Sequence, residues 1–286
     1  MLEDPDFNEW LSGGSHTAFE AGAGAFSSMF PNLSNRNKEI HGVGDAAFEA
    51  TFVSAPSVIR PGLGPIFNNV SCTSCHVNDG RGKPPLGTEQ ISSLLIRLSI
   101  PGQTEHGGPV PVPGFGGQLQ QRSIFGALPE ANVKITYEDK THSFADGSSY
   151  SLRIPTYTLE NAYTSLPAGV MTSPRITPPI HGLGSFEAIA EEDILASVDE
   201  NDRDADGISG KANYIWDIVH EKKVIGRFGW KANNPNLLQQ SAEAYNEDMG
   251  ITNFIFPKES SNGQEQFDNQ NDEYEVSDSV LQAVAH

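Results

Sequence analysis

The sequence predicts a mainly α-helical fold with long loops rich in glycine and proline and a small antiparallel β region. Apolar residues recur at helical spacing over residues 185–198 and 236–250, which predicts two amphipathic helices. Glycine and proline are dense between residues 101 and 117, so we expect a long irregular loop there. Residues 134–157 alternate β-branched or aromatic residues with polar ones on both sides of an Asp-Gly turn. That pattern indicates a β-hairpin.

Composition divides the chain into two regions. Residues 1–257 form the larger, globular region. Within it, the apolar segment ISSLLIRLSI at 91–100 fits a buried strand or a short helix, and we expect the strand. Residues 258–286 hold seven carboxylates against one lysine, among many Asn, Gln and Ser residues. This composition is typical of a disordered linker, up to an apolar stretch at its end.

The overall charge excludes several kinds of partner. The 286 residues include 37 acidic and 18 basic side chains, a formal net charge of -19. Nucleic acid and anionic membrane surfaces would repel such a chain, whereas a basic partner protein is compatible with it. No window approaches the roughly 18 consecutive apolar residues that span a bilayer. We therefore expect a soluble chain without a transmembrane segment.

Both cysteines of the chain lie in one motif, CTSCH at residues 72–76. On a helix, positions i, i+3 and i+4 are neighbours, so Cys72, Cys75 and His76 would share one face. Two thiols can add to the two vinyl groups of a haem while the imidazole ligates its iron. The motif thus predicts a covalent c-type haem in a cytochrome c-like segment.

Two other uses of a CxxC motif fit the sequence less well. Structural zinc takes four Cys or His ligands, and the sequence has no second cysteine pair. A thioredoxin-like redox pair is expected beside a βαβ pattern, which the sequence lacks. The second axial ligand of the haem stays open among Met249, Met171, His181 and His106, with Met249 as the metal-site candidate. A vacant position would instead permit peroxide or oxygen chemistry.

A second candidate metal site is the acidic segment NDRDADGISGKAN. Asp202, Asp204 and Asp206 precede Gly207, as in the opening of a calcium loop, where alternate carboxylates converge on one cation. The position that normally holds a bidentate Glu is Asn213. An acidic turn capped by its own side chains is the competing interpretation.

Read along its length, the chain resembles the bacterial di-haem oxidoreductase family of peroxidase-like proteins, which is sometimes labelled thiol oxidoreductase. The resemblance covers most of the chain in order. Its matching stretches are LSGG at 11–14, FVSAP at 52–56, GLGPIFNNVSCTSCHVNDGRGKPP at 62–85, GFGGQLQQRSI at 114–124, LRIPTY at 152–157, SPRITPPIHGLGSFEAI at 173–189, DRDADGISGKAN at 202–213 and GRFGWKANNPNLLQQSAEAYNEDMGIT at 226–252.

The resemblance implies a second CxxCH motif in a C-terminal cytochrome-like domain, and this sequence has no third cysteine. The end, EYEVSDSVLQAVAH, resembles the start of the helix that leads into that domain. We therefore expect a fragment that stops before the second haem. Reducing hydrogen peroxide to water takes two electrons, and one haem cycling between ferric and ferrous iron supplies one.

The resemblance also suggests site residues. In related di-haem peroxidases a Gln and a Glu serve near the peroxidatic haem, which points to Gln118 and Glu187 as catalytic residues. The alternatives are that Gln118 orders its loop and that Glu187 caps or solvates its helix. Arg97 would pair with a haem propionate or with a structural carboxylate. Trp216 and Trp230 would assist electron transfer or belong to the core.

These observations predict a c-type haem oxidoreductase, peroxidase-like, that reduces hydrogen peroxide with electrons from a small redox protein or a quinol-linked donor. The alternative is an electron carrier or haem-binding module without enzyme activity. Bacteria attach haem to CxxCH outside the cytoplasm, so we expect a periplasmic or otherwise extracytoplasmic protein. The start of the sequence has neither the basic nor the apolar region of a secretion signal.

Overall fold

The fold is built from short helices and two-stranded sheets. A computed structural model describes residues 10, 11, 13–86, 91–266 and 273–286. Helix and strand each account for 21% of the residues, so the prediction of a mainly α-helical fold is wrong. The α-helices are α1 (Asn35–Phe48), α2 (Gly184–Glu187), α3 (Glu191–Ala196), α4 (Leu237–Met249) and α5 (Asp278–Ala285), and short 3-10 helices span Gly14–His16, Ala25–Ser27 and Val77–Asp79.

The strands pair two by two in antiparallel sheets. The pairs are β1 (Ile66–Phe67) with β3 (Arg122–Ser123), β2 (Leu94–Ser99) with β6 (Met171–Ile176), β4 (Asn132–Ser143) with β5 (Ser149–Glu160), and β7 (Tyr214–Asp217) with β8 (Lys222–Ile225). The predicted hairpin is confirmed as β4 and β5, which pair from Asn132 opposite Glu160 to Ser143 opposite Ser149. The predicted strand at 91–100 is confirmed as β2.

Helix content is lower than predicted because apolar periodicity did not reveal where a helix breaks. The predicted helix over 185–198 is two short helices, since Ala190 between them has an extended backbone with φ -63° and ψ 145°. The predicted helix over 236–250 is confirmed as α4. The Asn236 side chain caps it by accepting from Gln239 N at 2.8 Å, and Gly250 ends it in the left-handed region at φ 69°.

Strand β2 has neighbours on both edges. Strand β6 pairs along one edge. On the other, Leu98 N donates to Gly117 O at 2.9 Å and Leu119 N donates to Ile96 O at 2.9 Å. The glycine- and proline-rich loop after β2 therefore folds back along it, and this return brings Gln118 opposite Arg97.

Two apolar clusters form the core. One lies around α4 and α5 and the other around β2 and the base of the hairpin. Their large buried side chains include Phe52, Phe67, Tyr245, Met249, Ile251 and Leu281 in the first cluster and Leu94, Ile96, Leu98, Val112, Phe115 and Leu119 in the second.

The described residues of the segment after residue 257, 258–266 and 273–286, contact the rest of the protein. Residues 267–272 of the predicted linker lie outside the described residues, as do residues 1–9, 12 and 87–90 of the predicted larger region. In the described part, Val276 and Leu281 belong to the first core cluster, and α5 packs against α1. The division at residue 257 stays a prediction.

The crossing of α1 and α5 depends on the small size of Gly44. A Cβ atom at this position would lie 2.0 Å from Ala283 O, whereas Gly42 on the same helix has open space. We expect Gly44→Ala to lower the free energy of unfolding by about 1–3 kcal/mol, as overpacking does. Gly42→Ala should raise it by about 0.5–1 kcal/mol. Urea denaturation of the two variants measures both, and equal effects would contradict this account of the crossing.

Candidate functional site

The CTSCH motif forms a single turn in place of the expected helix. Cys72 O accepts hydrogen bonds from Cys75 N at 3.0 Å and from His76 N at 2.9 Å. These bonds give the local i, i+3, i+4 arrangement, so the two thiols and the imidazole project from one turn. The chain then leaves through a short 3-10 helix in which Asn78 and Asp79 have positive φ. The glycines and prolines that follow do not continue a helix.

Hydrogen bonds connect the motif to the residues just before β2, and these residues pair with the residue just after β6. Ser92 Oγ donates to Ser74 O at 2.7 Å, and Ser93 Oγ donates to Cys75 O at 2.9 Å. Thr177 N in turn donates to Ser93 O at 3.0 Å. Residues before β2 and after β6 therefore hold the turn, and they bring the 177–180 segment beside it.

His76 is oriented by its Nδ1 atom, which donates to Pro178 O at 2.9 Å. A carbonyl can only accept, so Nδ1 carries the proton and Nε2 has its lone pair. Burial lowers the pKa of His76 to about 4. Its ring lies 5.8 Å from the Phe48 ring of α1. His76 is thus neutral near pH 7 and held in the tautomer that binds a metal through Nε2.

The two thiols are free and protonated. Cys75 Sγ donates to Ser92 O at 3.0 Å and accepts from Asn69 Nδ2 at 3.2 Å. Burial, with a smaller effect of Asp248, raises the pKa of Cys72 to about 12 and that of Cys75 to about 11. Reactive redox cysteines have lowered pKa values, so the environment is unlike that of a thioredoxin-type pair.

The geometry also differs from that of a closed zinc site. Among the described residues, the one group of three or more His, Cys, Asp or Glu ligand atoms within 4.8 Å of one another is Asp202, Asp204 and Asp206. Cys72, Cys75 and His76 do not form such a group. The three side chains are therefore arranged to bind separate atoms of one large ligand.

A partly buried polar cluster lies near the motif, at the C-terminal end of α4. Gln118 Nε2 donates to Asp248 Oδ1 at 2.6 Å and to Glu247 O at 3.1 Å. Arg97 pairs with Glu243 at 2.9 Å and with Glu247 at 3.7 Å. The guanidinium of Arg97 is therefore engaged by structural carboxylates, which is the alternative that the sequence left open for it.

Burial shifts the carboxyl groups of this cluster. It raises the pKa of Glu247 to about 7 and also raises the pKa of Asp248, in each case against the lowering effect of Arg97. Asp248 in turn raises the pKa of both motif thiols. The cluster and the cysteines thus lie close enough for their charges to interact.

Glu130 is a buried carboxyl group that the sequence analysis missed. It is 0% exposed, and its two oxygens accept from Gln120 N at 2.6 Å and from Gln264 Nε2 at 2.8 Å. Burial raises the pKa of Glu130 to about 8 despite these bonds. Gln120 Oε1 accepts from Asn68 Nδ2 at 2.7 Å, which links Glu130 to the segment entering the motif. In the sequence, Glu130 stands in an irregular stretch without periodicity, so no pattern marked it as buried.

Glu187, the last residue of α2, lies beside the N-terminal end of α4. Its carboxylate accepts from Leu237 N at 2.7 Å, at the first residue of the helix. Gln118 instead contacts Asp248 near the C-terminal end of α4. Asp248 is eleven residues after Leu237, which corresponds to about 16 Å along the helix axis. The structure therefore does not bring Gln118 and Glu187 together, and Glu187 makes the helix-capping contact that was its alternative role.

The four candidate axial ligands lie in different surroundings. Met249 is buried in the first core cluster, against which Cys72 also packs. Met171 is exposed at the start of β6. His106 stacks on Trp216 with ring centroids 4.0 Å apart, and His181 stacks on Phe26 at 4.1 Å. Met249 is thus the candidate that shares a packing environment with the motif.

Trp230 lies beside the segment that orients His76. Its Nε1 atom donates to Ile176 O at 2.6 Å, two residues before Pro178, and the Arg81 guanidinium lies 5.7 Å from its ring centroid. The indole is half exposed. Trp230 is therefore a surface residue near the motif and no part of either core cluster.

The acidic loop brings its three carboxylates together. Ligand oxygens of Asp202, Asp204 and Asp206 lie within 4.8 Å of one another at the surface. Asn213 points elsewhere, since its Nδ2 donates to Lys231 O and Ala232 O, each at 2.9 Å. Gly207 N donates to the Asp202 carboxylate, so the loop also has the self-capped form of an acidic turn.

A cleft of about 710 Å³ opens between α1 and the start of α5. Its walls are mainly apolar, and Phe52 and Leu63 in them belong to the core cluster against which Cys72 packs. The Tyr245 ring packs edge-on against Phe52 with centroids 5.9 Å apart. The cleft therefore adjoins the packing environment of the motif.

A family model described as "di-haem oxidoreductase, putative peroxidase" matches residues 8–283. The match covers nearly the whole chain and includes the CTSCH turn, so the protein belongs to the di-haem oxidoreductase family. The family implies a haem cofactor. No curated protein and no solved structure gives a match to the chain. In the part of the chain that the structure describes, no helix has the length and apolar character needed to cross a membrane.

The raised pKa of Glu130 gives a testable pH dependence. Its carboxyl group has a pKa of about 8 in the folded protein against an ordinary value of 4.5. Between these values the folded state binds more protons than the unfolded state, so this group lowers the free energy of unfolding as pH rises. Glu130→Gln removes the group, and we expect the free energy of unfolding of the variant, relative to wild type, to increase from about pH 5 to about pH 8.

Urea denaturation at several pH values measures this difference. Gln264 can accommodate the variant by turning its side-chain amide, because its Oε1 atom is buried without a hydrogen-bond partner. Glu138→Gln on the exposed hairpin is the matched control and should give a flat difference. A flat difference for Glu130→Gln as well would contradict the raised pKa.

Proposed function

We propose that Cys72 and Cys75 bind a c-type haem covalently and that His76 Nε2 ligates its iron. The observation that carries this proposal is the orientation of His76 by Pro178 O, on a turn that also presents two free thiols. A c-type haem needs this combination of two thiols and a neutral imidazole. A histidine ligand normally donates its other ring N–H to a carbonyl or carboxylate, as His76 does.

The surroundings fit such a group. The Tyr245 hydroxyl is buried without a hydrogen-bond partner, and its pKa is raised by burial and by Cys72, so an unsatisfied polar atom lies near the motif. The adjoining cleft of about 710 Å³ has mainly apolar walls. A haem is a large, mostly apolar ring with polar edges, so both features favour it as the occupant.

We further propose that the protein acts in the reduction of hydrogen peroxide, as the name of its family suggests. The reaction consumes two electrons and two protons for each peroxide and yields two water molecules. The electrons would come from a small redox protein or a quinol-linked donor, and the net charge of -19 favours a basic protein donor. A bound haem supplies the iron-centred electron transfer, and the chain must supply protons and hydrogen-bond donors.

Two sets of residues can provide this polar chemistry. Gln118 remains a proposed catalytic residue, because its amide is buried near the motif and its Oε1 atom, which lacks a partner, can accept a hydrogen bond. For the acid–base role we propose Glu130 beside the earlier prediction of Glu187. A pKa of about 8 allows Glu130 to give and take a proton near neutral pH, whereas Glu187 contacts the start of α4.

Electron transfer without peroxide turnover is the second candidate function. The observation that favours it is the burial of Met249 in the cluster against which Cys72 packs. A histidine and methionine pair closes both axial positions of the iron, gives a relatively high potential and leaves no place for peroxide. Attachment of haem to CxxCH outside the bacterial cytoplasm supports an extracytoplasmic location in either case.

We also propose a calcium ion at Asp202, Asp204 and Asp206, supported by the convergence of their carboxylates. Binding should raise the melting temperature in millimolar calcium, because a ligand that binds only the folded state stabilises it. Asp204→Asn should reduce the shift, while magnesium should give less of it since it prefers strict octahedral sites. An unchanged melting temperature in wild type would identify the loop as a self-capped acidic turn.

Optical spectroscopy tests the proposed function directly. The protein is produced with a c-type maturation system and an added export signal, and spectra are recorded in the ferric and ferrous states before and after hydrogen peroxide. We expect haem that stays with the denatured polypeptide and a high-spin ferric spectrum that changes with peroxide. Glu130→Gln should slow that change at neutral pH by more than tenfold, since general acid–base groups contribute about 10²–10⁴-fold.

The controls separate the candidate functions. Cys72→Ala and Cys75→Ala should each leave one thioether, and the double variant none. If Glu130 is the acid–base group, Glu187→Gln should retain the peroxide response. A response that is lost in Glu187→Gln and kept in Glu130→Gln would identify Glu187 as the acid–base group. A low-spin spectrum that peroxide leaves unchanged would favour the electron carrier. Absence of covalent haem from the wild type would refute the proposal.

A further inference from the structure

One amide side chain connects a cation to the sulfur of Cys75. Asn69 Oδ1 accepts from Arg122 Nη1 at 3.3 Å, and Asn69 Nδ2 donates to Cys75 Sγ at 3.2 Å. The same Nδ2 atom donates to Ser92 Oγ at 3.1 Å, and Asn69 is only 4% exposed. The side chain is therefore fixed in one orientation, with its carbonyl toward the guanidinium and its N–H toward the sulfur.

Among the described residues, no carboxylate forms an ion pair with Arg122. Its Nη2 atom donates to Ile91 O at 3.3 Å. Its hydrogen bonds are to neutral acceptors, and no ion pair of Arg122 occurs among the described residues, in contrast to Arg97 with its two glutamates. The position is partly buried, so water screens the charge less than at an exposed site. Strand β3 fixes this arginine, because Arg122 pairs with Phe67, two residues before Asn69.

The charges of Asp248 and Arg122 act on Cys75 in opposite directions. Burial and Asp248 raise the pKa of Cys75, while the hydrogen bond from Asn69 and, to a smaller extent, the charge of Arg122 lower it. Asp248 is partly buried and accepts a hydrogen bond from Gln118, while the guanidinium is linked to Cys75 through the Asn69 amide.

We infer that Arg122, positioned by Asn69 beside Cys75, raises the reduction potential of the iron centre that the motif anchors. This inference rests on the proposed covalent haem. Ferric iron carries one more positive charge than ferrous iron, so a nearby unneutralised cation disfavours the ferric state. A bound haem would take one electron from an external donor on reduction, and the field of Arg122 would favour the ferrous state. Arg122 is a positioning residue for charge, since its hydrogen bonds are to Asn69 and Ile91 and it would act through its field.

Potentiometric titration of the haem-loaded protein tests this inference. We expect Arg122→Gln to lower the ferrous-to-ferric ratio about tenfold at the wild-type midpoint potential, which is 59 mV for a one-electron couple. Arg122→Lys keeps the charge and should retain most of the wild-type potential. Arg153→Gln removes an arginine from the exposed hairpin, where it pairs with Asp139, and should change the ratio less than twofold.

A second variant guards against a failure of Arg122→Gln to fold. Asn69→Asp keeps an oxygen for the guanidinium, neutralises its charge and removes the N–H donor to sulfur, so it should also lower the potential. Equal potentials for Arg122→Gln and Arg153→Gln would overturn the inference, as would an equal loss in Arg122→Lys. Wild type without covalent haem would overturn the proposed function and this inference together, whereas attached haem with an unchanged potential in the variants overturns this inference alone.

Discussion

The structure around the motif depends on how the last turn of α4 satisfies its backbone carbonyls. The final carbonyls of a helix have no partner within it, and here the segment that leads into the motif supplies the donors. Asp248 O accepts from Asn68 N at 2.8 Å and Asn69 N at 3.2 Å, and Met249 O accepts from Gly64 N at 2.9 Å. Gly64 and Gly250 make this approach possible, since a Cβ on either would lie 2.8 Å from the Cα of the other. The end of α4 thus fixes the path of residues 64–69, and with it the start of the CTSCH turn.

This docking places several carboxylates beside the CTSCH turn. The last turns of α4 carry Glu243, Glu247 and Asp248, which are partly buried, and the guanidinium of Arg97 pairs with the first two. Carboxylates withdrawn from water in excess over cations cost stability unless some of them hold protons. An apolar contact at the same place would stabilise the fold at least as well. In the proposed function, these groups beside the motif would move protons or set charge.

The sequence predicted the features that depend on local chemistry. The CTSCH spacing, the hairpin around its Asp-Gly turn and the amphipathic α4 all follow from neighbouring residues. The fold class did not, because the short strands β1, β2, β3 and β6 are held by partners far along the chain, as β2 is by β6. For the same reason the sequence did not predict the polar contacts of Glu130 and Glu187. Glu130 becomes a shifted acid only when Gln120 and Gln264 enclose it, and Glu187 proves to contact α4 only once the chain has folded. Pairings across more than fifty residues leave no periodic signal.

The guanidinium groups of Arg97 and Arg122 differ in their effect near the motif. Burial strengthens the field of a charge that no opposite charge neutralises. Arg97 is neutralised by its glutamates, so it holds α4 against β2 and contributes little field beyond them. Among the described residues, Arg122 contacts neutral acceptors alone, so its field persists near the sulfur of Cys75. A redox centre that accepts electrons from a partner needs a potential above that of the donor, and a peroxidase also needs protons to follow the electrons. In the proposed function, the cation of Arg122 would serve the first requirement and the protonatable carboxyl groups the second, without any residue in common.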